Sequence, residues 1–159
     1  MFLILVTIVL ILLSIKLNMK IYLLLLFSLI AQLSYTQSAS PIGIWKTIDD
    51  ETGEAKSHVK IYEENDMLYG QIVKLLLKPA DSICQACTGE KKDQPVLGML
   101  IIEDMTAYKK YWSGGKIMDP ENGKYYKCKI YMENDDKIKV RGYIGIELAG
   151  RNQYWERVR

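Results

Sequence analysis

Hydrophobic and polar residues alternate along most of the chain after Ile42, in short runs that are separated by polar clusters. The run from Lys124 to Met132 shows the alternation most clearly, because Cys128 and Ile130 share one side of an extended chain and Lys127 and Lys129 lie on the other. A period of two is typical of a strand with one buried face. The pattern therefore predicts an all-β fold in which Cys128 faces the core.

Eight runs of this kind are expected to form strands, at about Gly43–Ile48, Lys56–Glu63, Met67–Leu76, Val96–Glu103, Gly115–Met118, Lys124–Met132, Lys137–Tyr143 and Asn152–Val158. The clusters between them are rich in Asn, Asp and Gly, which is typical of hairpin turns. Closing the sheet removes exposed strand edges. We therefore predict a single small antiparallel β-barrel of about eight strands, with a β-sandwich as the alternative.

Two longer segments interrupt this succession of strands. Lys78 to Pro95 is polar and contains two cysteines, and Asp104 to Gly114 is expected to contain a helical turn around Thr106 to Tyr111. Connections of this length often carry binding residues. We expect the second segment to form a flap at an open end of the barrel.

The first forty residues differ from the rest. Two apolar runs, Phe2 to Ile15 and Ile21 to Leu33, flank a short polar stretch, and neither is as long as a bilayer span. A lysine, an apolar run and a small polar tract in that order indicate a secretory signal peptide. We interpret residues 1–40 as a hydrophobic, helical leader, cleaved between Ala31 and Ser40, with translation starting at Met19; an uncleaved anchor is the alternative. Residues 41–159 then form the domain.

The charge balance argues against a nucleic-acid partner. The chain has 21 basic and 19 acidic residues, and the predicted leader holds two of the lysines and none of the acidic residues. The domain is therefore close to neutral, whereas binding to phosphate chains relies on clustered Lys and Arg. We expect a monomer without stable membrane insertion once the leader is removed.

Cys84 and Cys87 form the sharpest local motif. In an oxidising compartment the interpretation we favour is a disulfide that staples the Lys78 to Pro95 segment. A redox-active pair would need its first cysteine at a helix N-terminus in a βαβ unit, and the sequence does not indicate such a unit. A zinc site would need two ligands in addition to these cysteines, and the candidates are Cys128 and His58. The single histidine, His58, lies in a predicted strand with no catalytic motif around it, which argues against a hydrolase. We therefore expect no catalytic residues, no metal and no cofactor.

From about residue 42 to residue 158 the chain resembles a bacterial family of secreted proteins, domain of unknown function 2147 (DUF2147), whose members are regarded as lipocalin-like barrels. The residues that carry the resemblance are Gly43-Ile-Trp45, Tyr69-Gly70-Gln-Ile72, Cys84-Gln-Ala-Cys87, Gly115 to Gly123 with Tyr126, Val140-Arg-Gly142, Gly150-Arg151, Trp155 and Arg157. The resemblance implies a fold and an export route, but no active site.

A more distant similarity to lipocalin-type barrels rests on Gly43 and Trp45 in the first strand and an arginine near the end of the last strand. In such barrels an indole closes one end beneath a guanidinium, which implies a structural role for Trp45 and Arg157. Trp155 belongs to the same set of fold residues. Arg151 is the second candidate for the guanidinium.

A ligand site is expected at the open end, bordered by the flap and the Cys84–Cys87 segment. Its candidate residues are Tyr108, Tyr111, Trp112 and Tyr126. The leading interpretation is a secreted or periplasmic, non-enzymatic barrel that binds a small apolar or amphipathic molecule. The alternatives are a filled barrel that acts as an inhibitor-like interaction module for an envelope protein, and a thiol-redox or metal protein centred on Cys84 and Cys87.

Overall fold

The computed structural model describes residue 22, residues 39–49 and residues 52–159. The predicted leader, with its start at Met19, therefore lies almost entirely outside the described residues. Among the described residues, no helix is both long and apolar enough to cross a membrane.

The described residues after Ala39 form nine strands: β1 (Gly43–Ile48), β2 (Ala55–Glu64), β3 (Met67–Leu75), β4 (Leu100–Tyr108), β5 (Tyr111–Ser113), β6 (Lys116–Asp119), β7 (Lys124–Asn134), β8 (Lys137–Tyr143) and β9 (Arg151–Arg157). Two short 3₁₀ turns, Gly89–Lys91 and Glu147–Ala149, lie in connections. All eight predicted strands are present. The largest boundary error concerns β4, which begins four residues after the predicted Val96 and continues beyond Glu103.

The sheet closes on itself. Each strand pairs in antiparallel fashion with its neighbours, and the ring is completed by pairing of β3 with β4 and of β1 with β9. Strands β5 and β6 both pair with β4 on one side and β7 on the other, so together they fill one position. The barrel therefore has eight strand positions, and the prediction of a closed antiparallel barrel of about eight strands is confirmed.

The predicted helical turn at Thr106 to Tyr111 is wrong. These residues continue β4, turn at Lys109 and return as β5. Asp104 has a left-handed φ of 59°, which marks an irregularity in β4 opposite the Gly114–Gly115 interruption between β5 and β6. The segment therefore extends the sheet and does not form a separate flap.

Alternation of side chains places the core inside the barrel. Cys128 and Ile130 on β7 are buried, as the sequence pattern predicts, and they lie opposite Gly142 and Val140 on β8. Each fully buried aliphatic side chain contributes on the order of 1.5–3 kcal/mol to folding. Burial also raises the pKa of the Cys128 thiol to about 12, so this side chain is a protonated, unreactive part of the core.

One end of the barrel is closed by Trp45 and Arg157. The indole of Trp45 is fully buried and donates a hydrogen bond from Nε1 to the carbonyl oxygen of Pro41 at 2.7 Å. The guanidinium of Arg157 lies 4.2 Å from the ring centroid. It donates to the carbonyl oxygens of Ile42 at 2.9 Å, Ser40 at 2.8 Å and Asp135 at 2.5 Å. One side chain thus joins the start of β1 to the β7–β8 turn.

Gly43 is required by this arrangement. Its φ is 144°, which side chains disfavour, and a Cβ there would overlap Nη1 of Arg157. Gly43, Trp45 and Arg157 therefore form one packing unit, which we call the closed end.

We predict that Arg157→Lys lowers the free energy of unfolding in urea by about 1–3 kcal/mol, because an ammonium cannot serve three carbonyls and stack on the indole at once. The matched control is Arg159→Lys. The side chain of Arg159 is 80% exposed and pairs with Asp136 at the surface, so this change should stay within about 0.5 kcal/mol of the wild type. Equal effects of the two substitutions would contradict a closing role for Arg157.

Candidate functional site

The connections of the barrel alternate between its two ends. The β2–β3, β4–β5 and β7–β8 turns lie at the closed end, beside Trp45 and Arg157. The β1–β2, β3–β4, β6–β7 and β8–β9 connections lie at the other end, which we call the mouth. A cavity of about 210 Å³ is found at the mouth, lined by the strand ends and connections that meet there.

The inner part of the cavity is apolar, and we call it the floor. It is formed by Ile72, Leu75, Val96, Ile101, Ile117, Met118, Val140, Gly142 and Trp155. Trp155 is almost fully buried, and its Nε1 lies 3.3 Å from Oε1 of Gln153, to which it donates. An apolar molecule placed on this floor would be removed from water on several sides.

Two hydroxyl groups lie in the cavity wall beside the floor. Thr47 on β1 and Ser57 on β2 are directly opposite each other in the sheet, and their side-chain oxygens are 2.8 Å apart. The backbone N–H of Ser57 also donates to Oγ1 of Thr47 at 3.1 Å. Buried hydroxyl groups need such partners, and this pair supplies polar atoms within an otherwise apolar wall.

Charged side chains cross the entrance. Glu121, on the β6–β7 turn, accepts from Nζ of Lys56 at 2.5 Å with one carboxylate oxygen, and its other oxygen lies 3.4 Å from Nζ of Lys78. Lys56 is the second residue of β2 and Lys78 follows β3, so these pairs join opposite walls of the barrel. We call this set the ionic clasp. All three side chains line the cavity.

The two lysines control the charge of Glu121. Partial burial favours the neutral acid, but the hydrogen bond from Lys56 and the charges of Lys56 and Lys78 outweigh it and hold the pKa of Glu121 below its ordinary value. Glu121 therefore carries its negative charge throughout the neutral pH range.

The β6–β7 turn that carries Glu121 is held in shape by its own side chains. The carboxylate of Asp119 accepts from the backbone N–H of Glu121 at 2.9 Å and from Nδ2 of Asn122 at 2.8 Å. Asn122 in turn accepts from the N–H of Lys124. Among the described residues, no group of three or more His, Cys, Asp or Glu side chains is placed to hold a metal ion.

The segment with the two cysteines forms one wall of the mouth. The sulfur atoms of Cys84 and Cys87 are bonded at 1.99 Å, and both residues are buried. Gly123 of the β6–β7 turn has a φ of 69°, and a Cβ there would overlap the carbonyl oxygen of Ala86. Lys91 fastens the far side of the segment to Glu103 on β4 at 2.6 Å. The disulfide segment and the turn that carries Glu121 therefore support each other.

The structure separates the four aromatic residues proposed for ligand binding. Tyr126 lines the cavity. Tyr108 and Tyr111 lie at the opposite end, where their ring centroids are 5.3 Å apart on the outer surface of the β4–β5 hairpin. Trp112 follows on the same hairpin and does not line the cavity. The expectation that this hairpin borders the open end is wrong, because consecutive connections of a meander point to opposite ends.

Arg151, the second candidate for the closed end, instead lines the cavity at the mouth. The sequence interpretation missed Thr47, Ser57, Lys56, Lys78, Glu121 and Arg151 as cavity residues. A signal existed for two of them. Thr47 and Ser57 have the same strand phase as buried Trp45 and Val59, and polar residues on an inward face often line a cavity.

The fold has a relative among solved structures. Protein HP1028 from the human pathogen Helicobacter pylori, which belongs to the lipocalin family, superimposes with a TM-score of 0.68 over 76% of this chain and 84% of that chain. The two sequences are 17% identical, so the likeness concerns the fold alone. The lipocalin-like architecture expected from the sequence is thereby confirmed.

A comparison with curated proteins gave no significant match. The sequence model of a bacterial family, described as an uncharacterized protein conserved in bacteria (DUF2147), matches residues 43–157, which span the whole barrel from β1 to the end of β9. This chain therefore belongs to the DUF2147 family, with a lipocalin-like barrel as its fold.

Proposed function

We propose that this protein is an exported, non-enzymatic barrel that binds one small amphipathic molecule at its mouth. The observation that carries the proposal is the cavity itself, with an apolar floor around Trp155 and a polar entrance. Pockets with this distribution of apolar and polar groups are the usual sites of small ligands. The lipocalin-like fold is consistent with such a role, because an eight-stranded barrel that is not filled by its own side chains can hold one small molecule.

The dimensions favour a small ligand. A cavity of about 150 Å³ is enough for benzene, whereas pockets for drug-sized molecules start near 300 Å³. The cavity of about 210 Å³ lies between these values. A short alkyl chain or a single ring would fill the floor, and a polar group attached to it would remain among the charged side chains of the entrance.

The packing of the barrel supports binding over the two alternatives. A filled barrel would leave no room beneath the mouth, yet the floor is open there. Cys84 and Cys87 are buried in a segment that is pinned on both sides, which favours a structural disulfide over redox exchange.

Filling the cavity should abolish binding. Gly142 lines the floor, and a Cβ there would make ordinary contact with Cβ of Tyr126 at 3.5 Å, so a larger side chain would project into the cavity. We predict that Gly142→Leu weakens octanol binding, measured by calorimetry, by at least about tenfold, because each excluded methylene group forfeits about 0.8 kcal/mol.

The matched control for that experiment is Lys139→Leu, which adds a leucine to the same strand but outside the barrel, where Lys139 lies over Tyr131. It should bind octanol as the wild type does. If Gly142→Leu bound octanol with unchanged affinity while still folded, the cavity would not be the binding site.

Export can be tested by the intact mass of the protein purified from its compartment. We predict that the measured mass corresponds to a chain whose first residue lies between Ala31 and Ser40, because the apolar run that precedes this tract is expected to direct cleavage there. Two hydrogens should be missing, because the sulfurs of Cys84 and Cys87 are bonded. A mass that includes residues 1–40 would contradict the proposal of a cleaved leader.

A further inference from the structure

The ionic clasp places a carboxylate across the entrance of the cavity. Glu121 does not pair with a neighbour on its own turn but reaches over the entrance to Lys56, 65 residues earlier in the chain. Its two oxygens are divided between two ammonium groups, one for Lys56 and one for Lys78. The same cavity is lined by the apolar residues of the floor.

We propose that Glu121 occupies the place of the ligand's own head group, and that the ligand is a carboxylate with a short apolar tail. The incoming carboxylate takes over Lys56 and Lys78, Glu121 turns outward to water, and the tail lies on the floor against Trp155. This inference rests on the proposed function and names the chemical class of its ligand.

The charges around the cavity favour an anion. Three cations line it, Lys56, Lys78 and Arg151, against the carboxylates of Asp119 and Glu121. A further carboxylate, that of Asp49, lies 3.8 Å from Nζ of Lys56 but is not part of the cavity lining. The carboxylate of Asp119 already accepts two hydrogen bonds within its own turn. When Glu121 leaves, Lys78 loses its carboxylate partner and Lys56 keeps only the longer contact with Asp49 at 3.8 Å, so the two positive charges at the entrance are less well compensated. A carboxylate compensates them, an alcohol does so only weakly, and an ammonium ligand would add a third like charge.

Glu121 can leave without moving the backbone. The shape of its turn is fixed by Asp119 and Asn122, whose bonds do not involve the Glu121 side chain carboxylate. That side chain is 41% exposed, and ion pairs with this exposure exchange readily with other anions. Rotation about its side-chain bonds is therefore sufficient to vacate the site.

The test compares three ligands with the same tail, octanoate, octanol and octylammonium, by calorimetry on the protein as its host produces it. The wild type should bind octanoate more tightly than octanol, and octylammonium least. Glu121→Gln keeps the shape of the side chain but removes its charge. It should raise octanoate affinity by about fivefold or more, because the internal competitor is weakened, and leave octanol within about twofold.

The matched control is Glu147→Gln. Glu147 also accepts from a lysine, Lys129 at 2.6 Å, and its side chain is 39% exposed, but it lies outside the cavity. This variant should bind all three ligands as the wild type does. A second variant, Lys56→Met with Lys78→Met, should lose at least about tenfold in octanoate affinity while octanol binding persists, which also shows that the cavity is intact.

The outcomes separate the two proposals. If none of the three ligands binds, the proposed function fails, and this inference fails with it. If octanol binds as tightly as octanoate, or if Glu121→Gln changes octanoate affinity no more than Glu147→Gln does, the assignment of a carboxylate ligand is overturned and the binding function stands.

Discussion

The structure depends on closure of the sheet. Because β3 pairs with β4 and β1 pairs with β9, each of the eight strand positions has a neighbour on both sides, and the inward side chains meet in one interior. Closure also fixes which connections share an end, since the strands run alternately up and down. The closed end and the mouth are consequences of this alternation.

The two ends of the barrel differ in what their side chains do. At the closed end, Arg157 satisfies three carbonyl groups that no strand pairs, and it covers the buried ring of Trp45. At the mouth, side chains of opposite charge meet above a space that the core does not fill. Residues of the barrel wall thus divide along each strand into those that stabilise the fold and those that form the site.

Local patterns in the sequence were sufficient for the strands but not for the site. The alternation around Cys128 and Ile130 predicts a buried face correctly, because it depends on neighbours in the chain. The helical turn at Thr106 was predicted wrongly, because the pairing with β5 that makes it a strand is not visible in the segment itself.

The contact between Lys56 and Glu121 depends on closure of the sheet, and in the sequence Glu121 is only a residue that follows a proline in a turn. The misplaced aromatic residues Tyr108 and Tyr111 could have been excluded by counting connections, since alternate turns lie at opposite ends.

The central claim is that the barrel is closed beside Trp45 and hollow beside Trp155. The most direct measurement follows the indole N–H resonances of the tryptophans by NMR while an alkyl ligand is added. The account predicts that the signal of Trp155 shifts in a saturable manner while that of Trp45, at the closed end, stays in place. A ligand that shifts Trp45 or Trp112 and leaves Trp155 unchanged would contradict it.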